Sequence, residues 1–211
     1  MNLEEKERKS YVSLGQHPYE HHKFVFMKFP STEQKVVLDI GCGRGVWGFL
    51  IRNSARKLRS LIGIDVSRDY LLLAKKHASY DDLILASAGN LPLKQKSVNI
   101  VVAIEVVEHL SKREGYTLLK EIDRVTTDFA LLTTPNGFLE VKTPSNIFEV
   151  HKSGWNPNEL KSEGYQVFGM GLKMYQEKPS RITYLLECFR EPLVWRLPQM
   201  SAFLLAVKKC K

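Results

Sequence analysis

From residue 36 to residue 135, short apolar runs alternate with stretches whose apolar positions recur every three or four residues. Val36–Ile40, Leu61–Asp65, Leu83–Ala86, Ser97–Ile104 and Phe129–Thr133 read as buried strands, rich in β-branched residues and closed by turn residues. Between them, helices are predicted from Val46 to about Lys57, from Ser67 to Ser79 and from Ser111 to about Val125. Ser67 is a candidate cap, and Ser111 with Glu114 makes a capping box. Beyond residue 135, Asn156-Pro157-Asn158-Glu159 starts a helix that Gly164 ends. Tyr165–Phe168 and Ala202–Val207 read as two further strands, and Ser180–Trp195 as a helix striped with apolar residues and edged by arginines. Strand and helix in alternation imply an α/β fold: a doubly wound, mostly parallel sheet of about seven strands, with helices on both faces.

At 211 residues the chain is long enough for one such domain and short for two. We expect a helical lid over residues 1–35 and a single domain over 36–211, with a substrate-side insertion at 168–200. In the first segment Phe24, Phe26 and Phe29 suit a core-facing helix, while His21 and His22 face apart and make a poor chelating pair. The formal charge of +8 admits an anionic partner such as RNA or a phospholipid surface. The basic residues are nevertheless spread out, with no arginine-rich block, which favours a solvated surface over a nucleic-acid interface. Cys42, Cys188 and Cys210 are odd in number and far apart, as expected of reduced thiols in a cytoplasmic protein. The charged start does not resemble a secretory signal, and no apolar run reaches the ~20 residues of a membrane span. No pattern fixes an oligomeric state.

Candidate chemistry gathers where the strands end. Asp39 is followed by Gly41, Gly43 and Gly45, a turn that lets a ligand approach bare backbone. Similar turns bind the pyrophosphate of dinucleotides in oxidoreductases, but a carboxylate at Asp39 would repel a pyrophosphate and favour a cationic ligand. Asp65, twenty residues after Gly45, ends the second strand and can accept hydrogen bonds from both hydroxyls of a ribose. In open α/β sheets, ligands bind beyond the carboxyl ends of the strands, where Asp39, Asp65, Ser87, Glu105 and Asn136 would lie.

The string Leu38-Asp39-Ile40-Gly41-Cys42-Gly43-Arg44-Gly45 resembles motif I of the class I S-adenosylmethionine-dependent methyltransferases, and the resemblance extends to about Asn136. It implies S-adenosyl-L-methionine as cofactor, held by Asp39, Gly41, Gly43, Gly45, Asp65, Val66, Ser87, Ala88, Gly89 and Glu105. Family members commonly carry an Asp for the adenine where this chain has Ser87, so Ala88 and its amide would carry more of that contact. Glu105-Val106-Val107-Glu108-His109 is similar to the Glu-x-x-Glu-His metal motif of two branches, the ubiquinone-biosynthesis O-methyltransferases and the small-RNA 3′-terminal 2′-O-methyltransferases. In the second branch a further histidine precedes a tryptophan, as His151 precedes Trp155. Glu105, Glu108, His109 and His151 are therefore expected to hold Mg²⁺ or Mn²⁺. Without metal, His109 or His151 would be the general base. The expected reaction is O-methylation of a small-molecule or lipid-linked acceptor. RNA 2′-O-methylation, and a non-catalytic protein that binds the nucleoside or a membrane surface, are the alternatives.

Overall fold

The computed structural model describes residues 12–13, 21–55, 57–140, 147–174 and 191–210. Its strands are β1 (Val12–Ser13), β2 (Val36–Ile40), β3 (Ser60–Asp65), β4 (Asp82–Leu85), β5 (Val98–Ile104), β6 (Thr126–Pro135), β7 (Gln166–Met174) and β8 (Ser201–Lys209). They form one sheet in the order β1-β7-β8-β6-β5-β2-β3-β4. From β4 to β6 every pairing is parallel, while β8 runs antiparallel to both β6 and β7. Seven strands carry the sheet, and the two-residue β1 adds to its edge on Lys173 and Met174.

The strands bury both faces, and alternate residues supply each core. Leu38, Ile40, Val101, Ala103 and Leu132 pack with Leu118, Leu119 and Ile122 of helix α4 (Lys112–Val125), and with Leu160 of α5 (Pro157–Ser162). Val37, Leu61, Ile100, Val102 and Leu205 pack on the other side, with Phe24 and Val25 of α1 (His22–Lys28) and Trp47 and Ile51 of α2 (Val46–Ser54). Helix α3 (Arg68–Lys76) turns Leu71 and Ala74 inward beside β3 and β4. The expected caps form: Ser67 accepts from the Tyr70 amide, and Ser111 with Glu114 closes a capping box.

The end of β7 differs from the sequence reading. Gly169 and Gly171 suggest a break after Phe168, yet β7 continues to Met174, so the sheet takes residues 168–174 of the expected insertion. A Cβ on Gly169 would lie 2.4 Å from the Val194 carbonyl oxygen and 2.7 Å from Ser201 Cβ, so this glycine marks a close approach within a strand. Within the expected lid, residues 12–13 are extended as β1, while the charged start expected to be helical lies outside the described residues. Residues 1–11 and 14–20 of the expected lid, and 180–190 of the expected apolar helix, lie outside the described residues. Among the described residues, 191–196 are helical, with Trp195 stacked on Phe24 and Phe168. None of the described helices is long and apolar enough to cross a membrane.

Chain order reverses between β2 and β5: β3 and β4 follow on one side of β2, and β5 with β6 on the other. The crevice beyond the ends of β2 and β5 is the topological switch point where such sheets bind ligands. The glycine turn leaves β2 there and Glu105 leaves β5. The two loops touch, since a Cβ on Gly41 would come within 2.5 Å of Val106 Cγ2.

Candidate active site

Gly41, Gly43 and Gly45 all hold positive φ, at +68°, +51° and +90°, a region other residues enter at a cost. A Cβ on Gly43 would meet nothing nearer than the Gly41 oxygen at 4.0 Å, so bare backbone faces open space on the crevice side. Asp65 closes the other side of that space. Its Oδ2 accepts from the Gly43 amide at 2.8 Å and its Oδ1 from the Ser67 amide at 2.8 Å. These bonds fix the carboxylate beside the turn, and it keeps lone-pair capacity for a ribose hydroxyl. Burial raises the Asp65 carboxyl, while the amides of Ser67, Gly43 and Val66 and the nearby His109 pull it back.

Val66 lies next to Asp65 with its side chain 46 % exposed, an uncovered apolar surface at the end of β3. After β4, Ser87 Oγ accepts from the Gly89 amide at 3.3 Å, and Ala88 packs against the core. An apolar wall, amides and a ribose acceptor thus follow the ends of β3 and β4, groups whose chemistry suits a nucleoside.

Asp39 differs from its expected placement toward a cationic ligand. Its carboxylate is 1 % exposed, and Oδ2 accepts from the Tyr80 hydroxyl at 2.6 Å. Burial lifts this carboxyl to about 7, the tyrosine hydrogen bond opposes the rise, and the Asp65 charge adds to it. Asn136 is also turned inward: its amide nitrogen donates to the carbonyls of Pro198 and Ser201 at 2.9 and 2.8 Å. Asn136 thereby holds the turn into β8.

The second half of the site follows β5. Glu105 has φ +54°, a rare conformation for a residue with a side chain, and strain of this kind gathers at functional sites. Thr133 of β6 holds it there: the Glu105 amide donates to the Thr133 carbonyl at 3.1 Å, and Thr133 Oγ1 donates to Glu105 Oε1 at 2.7 Å. A single 3-10 turn, Val107–His109, comes next, so Glu105 stands outside the helical turn that the i, i+3, i+4 spacing supposed.

Glu108 is 1 % exposed, and neither carboxylate oxygen has a well-formed hydrogen bond among the described residues. Burial lifts its carboxyl well above the ordinary value, and the Glu105 charge lifts it further. Burial likewise takes Glu105 to about 7, against the pull of the Thr133 hydroxyl. An unpaired buried carboxylate costs several kcal/mol unless a cation or a proton meets it.

The cation-binding groups stand beside it. Ligand atoms of Glu108, His109 and His151 all lie within 4.8 Å of one another, and the two imidazole rings meet edge to face at 4.8 Å. His151 Nδ1 lies 2.6 Å from the Leu139 carbonyl oxygen. Because a carbonyl only accepts, Nδ1 carries the proton and Nε2 keeps its lone pair, the tautomer that metal-binding histidines adopt. Burial takes His151 down to about 4 and lowers His109 too, so both rings stay neutral. Three of the four expected ligands therefore gather, while Glu105 is engaged by Thr133 at the edge of the group.

The 151–155 stretch reaches this position because Trp155 anchors it. The indole is fully buried, donates to Ser153 Oγ at 3.1 Å, and packs on Tyr116 and on Gly115 of α4. The amides of Lys152 and Ser153 donate to the Glu108 carbonyl at 2.8 and 3.1 Å, joining the His151 segment to the Glu108 turn. Sequence reasoning missed Tyr80 and Thr133. A tyrosine in a loop and a threonine in a strand carry no periodic or motif signal.

Residues 37–128 match the family model described as a methyltransferase domain. A Mycobacterium tuberculosis protein named "Probable S-adenosylmethionine-dependent methyltransferase" is 29 % identical over 150 residues, covering 68 % of this chain and 52 % of that protein. The ubiquinone biosynthesis O-methyltransferase of Hydrogenovibrio crunogenus is 27 % identical over 88 residues, covering 39 % of this chain and 35 % of its own length. The chain thus spans about half, or less, of these curated relatives. Among solved structures, the small RNA methyltransferase HEN1 superposes with a TM-score of 0.66 over 92 % of this chain and 25 % of that one, at 15 % identity.

Proposed function

We propose that this chain, which carries a class I S-adenosylmethionine-dependent methyltransferase domain, methylates an oxygen of a small-molecule or lipid-linked acceptor with the help of a divalent cation such as Mg²⁺ or Mn²⁺. One observation carries the metal-assisted reading: the buried Glu108 carboxyl, without a well-formed hydrogen bond among the described residues, stands beside His109 and His151 at the switch point. The O-methyltransferase among the relatives supports the choice of oxygen.

S-adenosylmethionine supplies a methyl group on a positively charged sulfur, open to in-line displacement. Asp65 would accept from its ribose, the turn from Gly41 to Gly45 would lie along its amino acid portion, and Val66, Ser87, Ala88 and Gly89 would line its base. Holding nucleoside and acceptor in one crevice provides much of the acceleration. Glu108, His109 and His151 would hold the cation, with Glu105 at their edge, and a cation there lowers the pKa of an acceptor hydroxyl. If the site works without metal, His151 Nε2 is the better-placed base, since its Nδ1 is fixed on Leu139.

The test is transfer of labelled methyl from S-adenosylmethionine to catechols, lipid-linked phenols and RNA ending in a vicinal diol, each with Mn²⁺ or with excess chelator. Transfer to a small acceptor that chelator abolishes is the expected result. Undiminished transfer in chelator would remove the metal from the reading. RNA is the second reading, favoured by the +8 charge and the fold shared with a small RNA methyltransferase. Acceptor affinity that falls steeply with salt would select it.

A further inference from the structure

Tyr80 lies in the loop between α3 and β4 and packs against the glycine turn and the start of α2. Its hydroxyl donates to Asp39 Oδ2 at 2.6 Å, at the point where β2 enters the turn. Its ring lies across three glycines. A Cβ on Gly48 would fall 2.1 Å from Tyr80 Cζ, one on Gly63 would fall 3.0 Å from Cδ1, and one on Gly45 would fall 3.4 Å from Cε2. Gly45 and Gly48 stand where the turn passes into α2, and Gly63 lies in the strand that ends at Asp65. One side chain thus touches the entry of the turn, its exit and the neighbouring strand. No side chain but hydrogen fits at Gly48 while the ring is there.

We propose that Tyr80 is a positioning residue for the cofactor cradle: it holds Asp39 from beneath, fills the space left by Gly48 and shares with Ala74, Cys42 and Leu83 the space left by Gly45 and Gly63, and so sets the turn on which the nucleoside rests. Asp39 then acts on the turn through Tyr80 rather than by touching the ligand, in keeping with its 1 % exposure. The inference rests on reading the turn as an S-adenosylmethionine cradle. The titratable groups around Asp39 are Tyr80, Cys42 and Asp65. Burial and the neighbouring acids raise the phenol and the thiol, so both stay protonated and Tyr80 remains a donor.

The test is calorimetric titration of S-adenosylhomocysteine into wild type, Tyr80→Phe and Asp39→Asn between pH 6 and pH 9. Thermal melting of each nucleoside-free protein establishes that it is folded. Tyr80→Phe keeps the ring and removes the hydroxyl; a hydrogen bond to a carboxylate is worth enough that affinity should fall about tenfold. The inflection of affinity with pH, near 7 in wild type, should move upward as the carboxylate loses its donor. Asp39→Asn keeps an acceptor for the hydroxyl, so it should lose the inflection but less affinity than Tyr80→Phe. Affinity of Tyr80→Phe within about twofold of wild type would overturn the proposal, being well short of one hydrogen bond. A loss with no movement of the inflection would also overturn it, by reducing Tyr80 to general packing. If Asp39→Asn loses more than Tyr80→Phe, Asp39 touches the ligand and the proposal fails. Absence of binding by the folded wild type would overturn the cradle reading itself, an outcome distinct from the others.

Discussion

Asp39 and Glu108 are both carboxylates kept from water, and the difference between them is their company. Asp39 has one strong donor in Tyr80, while Glu108 has no well-formed hydrogen bond among the described residues and only the Thr134 hydroxyl and the Glu105 carboxyl beside it. Because the Asp39 carboxyl is raised from 3.8 to about 7, the native state binds a proton that the unfolded state releases. Its contribution to stability is therefore complete below about pH 4 and is lost as pH rises through about 7. His151, lowered from 6.5 to about 4, works the other way: its contribution is lost as pH falls through that interval. Comparing wild type with Asp39→Asn isolates the first effect. The melting temperature of wild type relative to the variant should decline from pH 5 to pH 8; a constant difference would mean that Asp39 titrates normally. For Glu108→Gln the expectation is a metal-free protein more stable than wild type at pH 8, with Mn²⁺ affinity down at least tenfold, since second-sphere losses alone cost that much. Thermal melts with and without Mn²⁺ check both effects, and a variant that still gains stability from Mn²⁺ would remove Glu108 from the ligand set.

At the scale of elements, Trp155 and α4 decide whether the His151 segment reaches Glu108. A Cβ on Gly115 would lie 2.4 Å from Trp155 Cζ2. Alanine favours a helix interior over glycine by about 1 kcal/mol, yet Gly115→Ala should destabilise by about 1–3 kcal/mol because the indole must move. Trp155→Ala should cost about 3–5 kcal/mol. In both variants metal affinity should fall more than nucleoside affinity, because the glycine turn and Asp65 lie on other elements. Denaturant unfolding with paired titrations checks this, and equal losses would argue against an anchoring role for Trp155. The helix starts were legible beforehand because caps are local: Ser67, Ser111 and Asn156 each accept the amides that their spacing supposes. The end of β7 was not legible, because Gly169 answers to Val194 and Ser201, which sequence distance conceals.

For the whole molecule, the parallel strands β2, β3, β5 and β6 were legible because burial on both faces writes continuous apolar runs, and the half-exposed edge strand β4 was legible from its short apolar run Leu83–Ala86. The switch point follows from their order, so the crevice holding Gly43, Asp65 and Glu108 was legible as a place. What the residues do within it was less so. Asp39 points beneath the turn and Asn136 into the β8 junction, because the alternation of a strand places a side chain on one face without naming its partner. His151 was legible only through the tryptophan that follows it, and the structure supplies the reason in the anchor that Trp155 provides.

The two halves of the crevice meet in one measurement, calorimetric titration of S-adenosylhomocysteine into wild type and Glu108→Gln, each with and without Mn²⁺. The expected result is saturable nucleoside binding by both proteins, and Mn²⁺ binding by wild type alone. A folded wild type that binds no nucleoside would contradict the account at its centre.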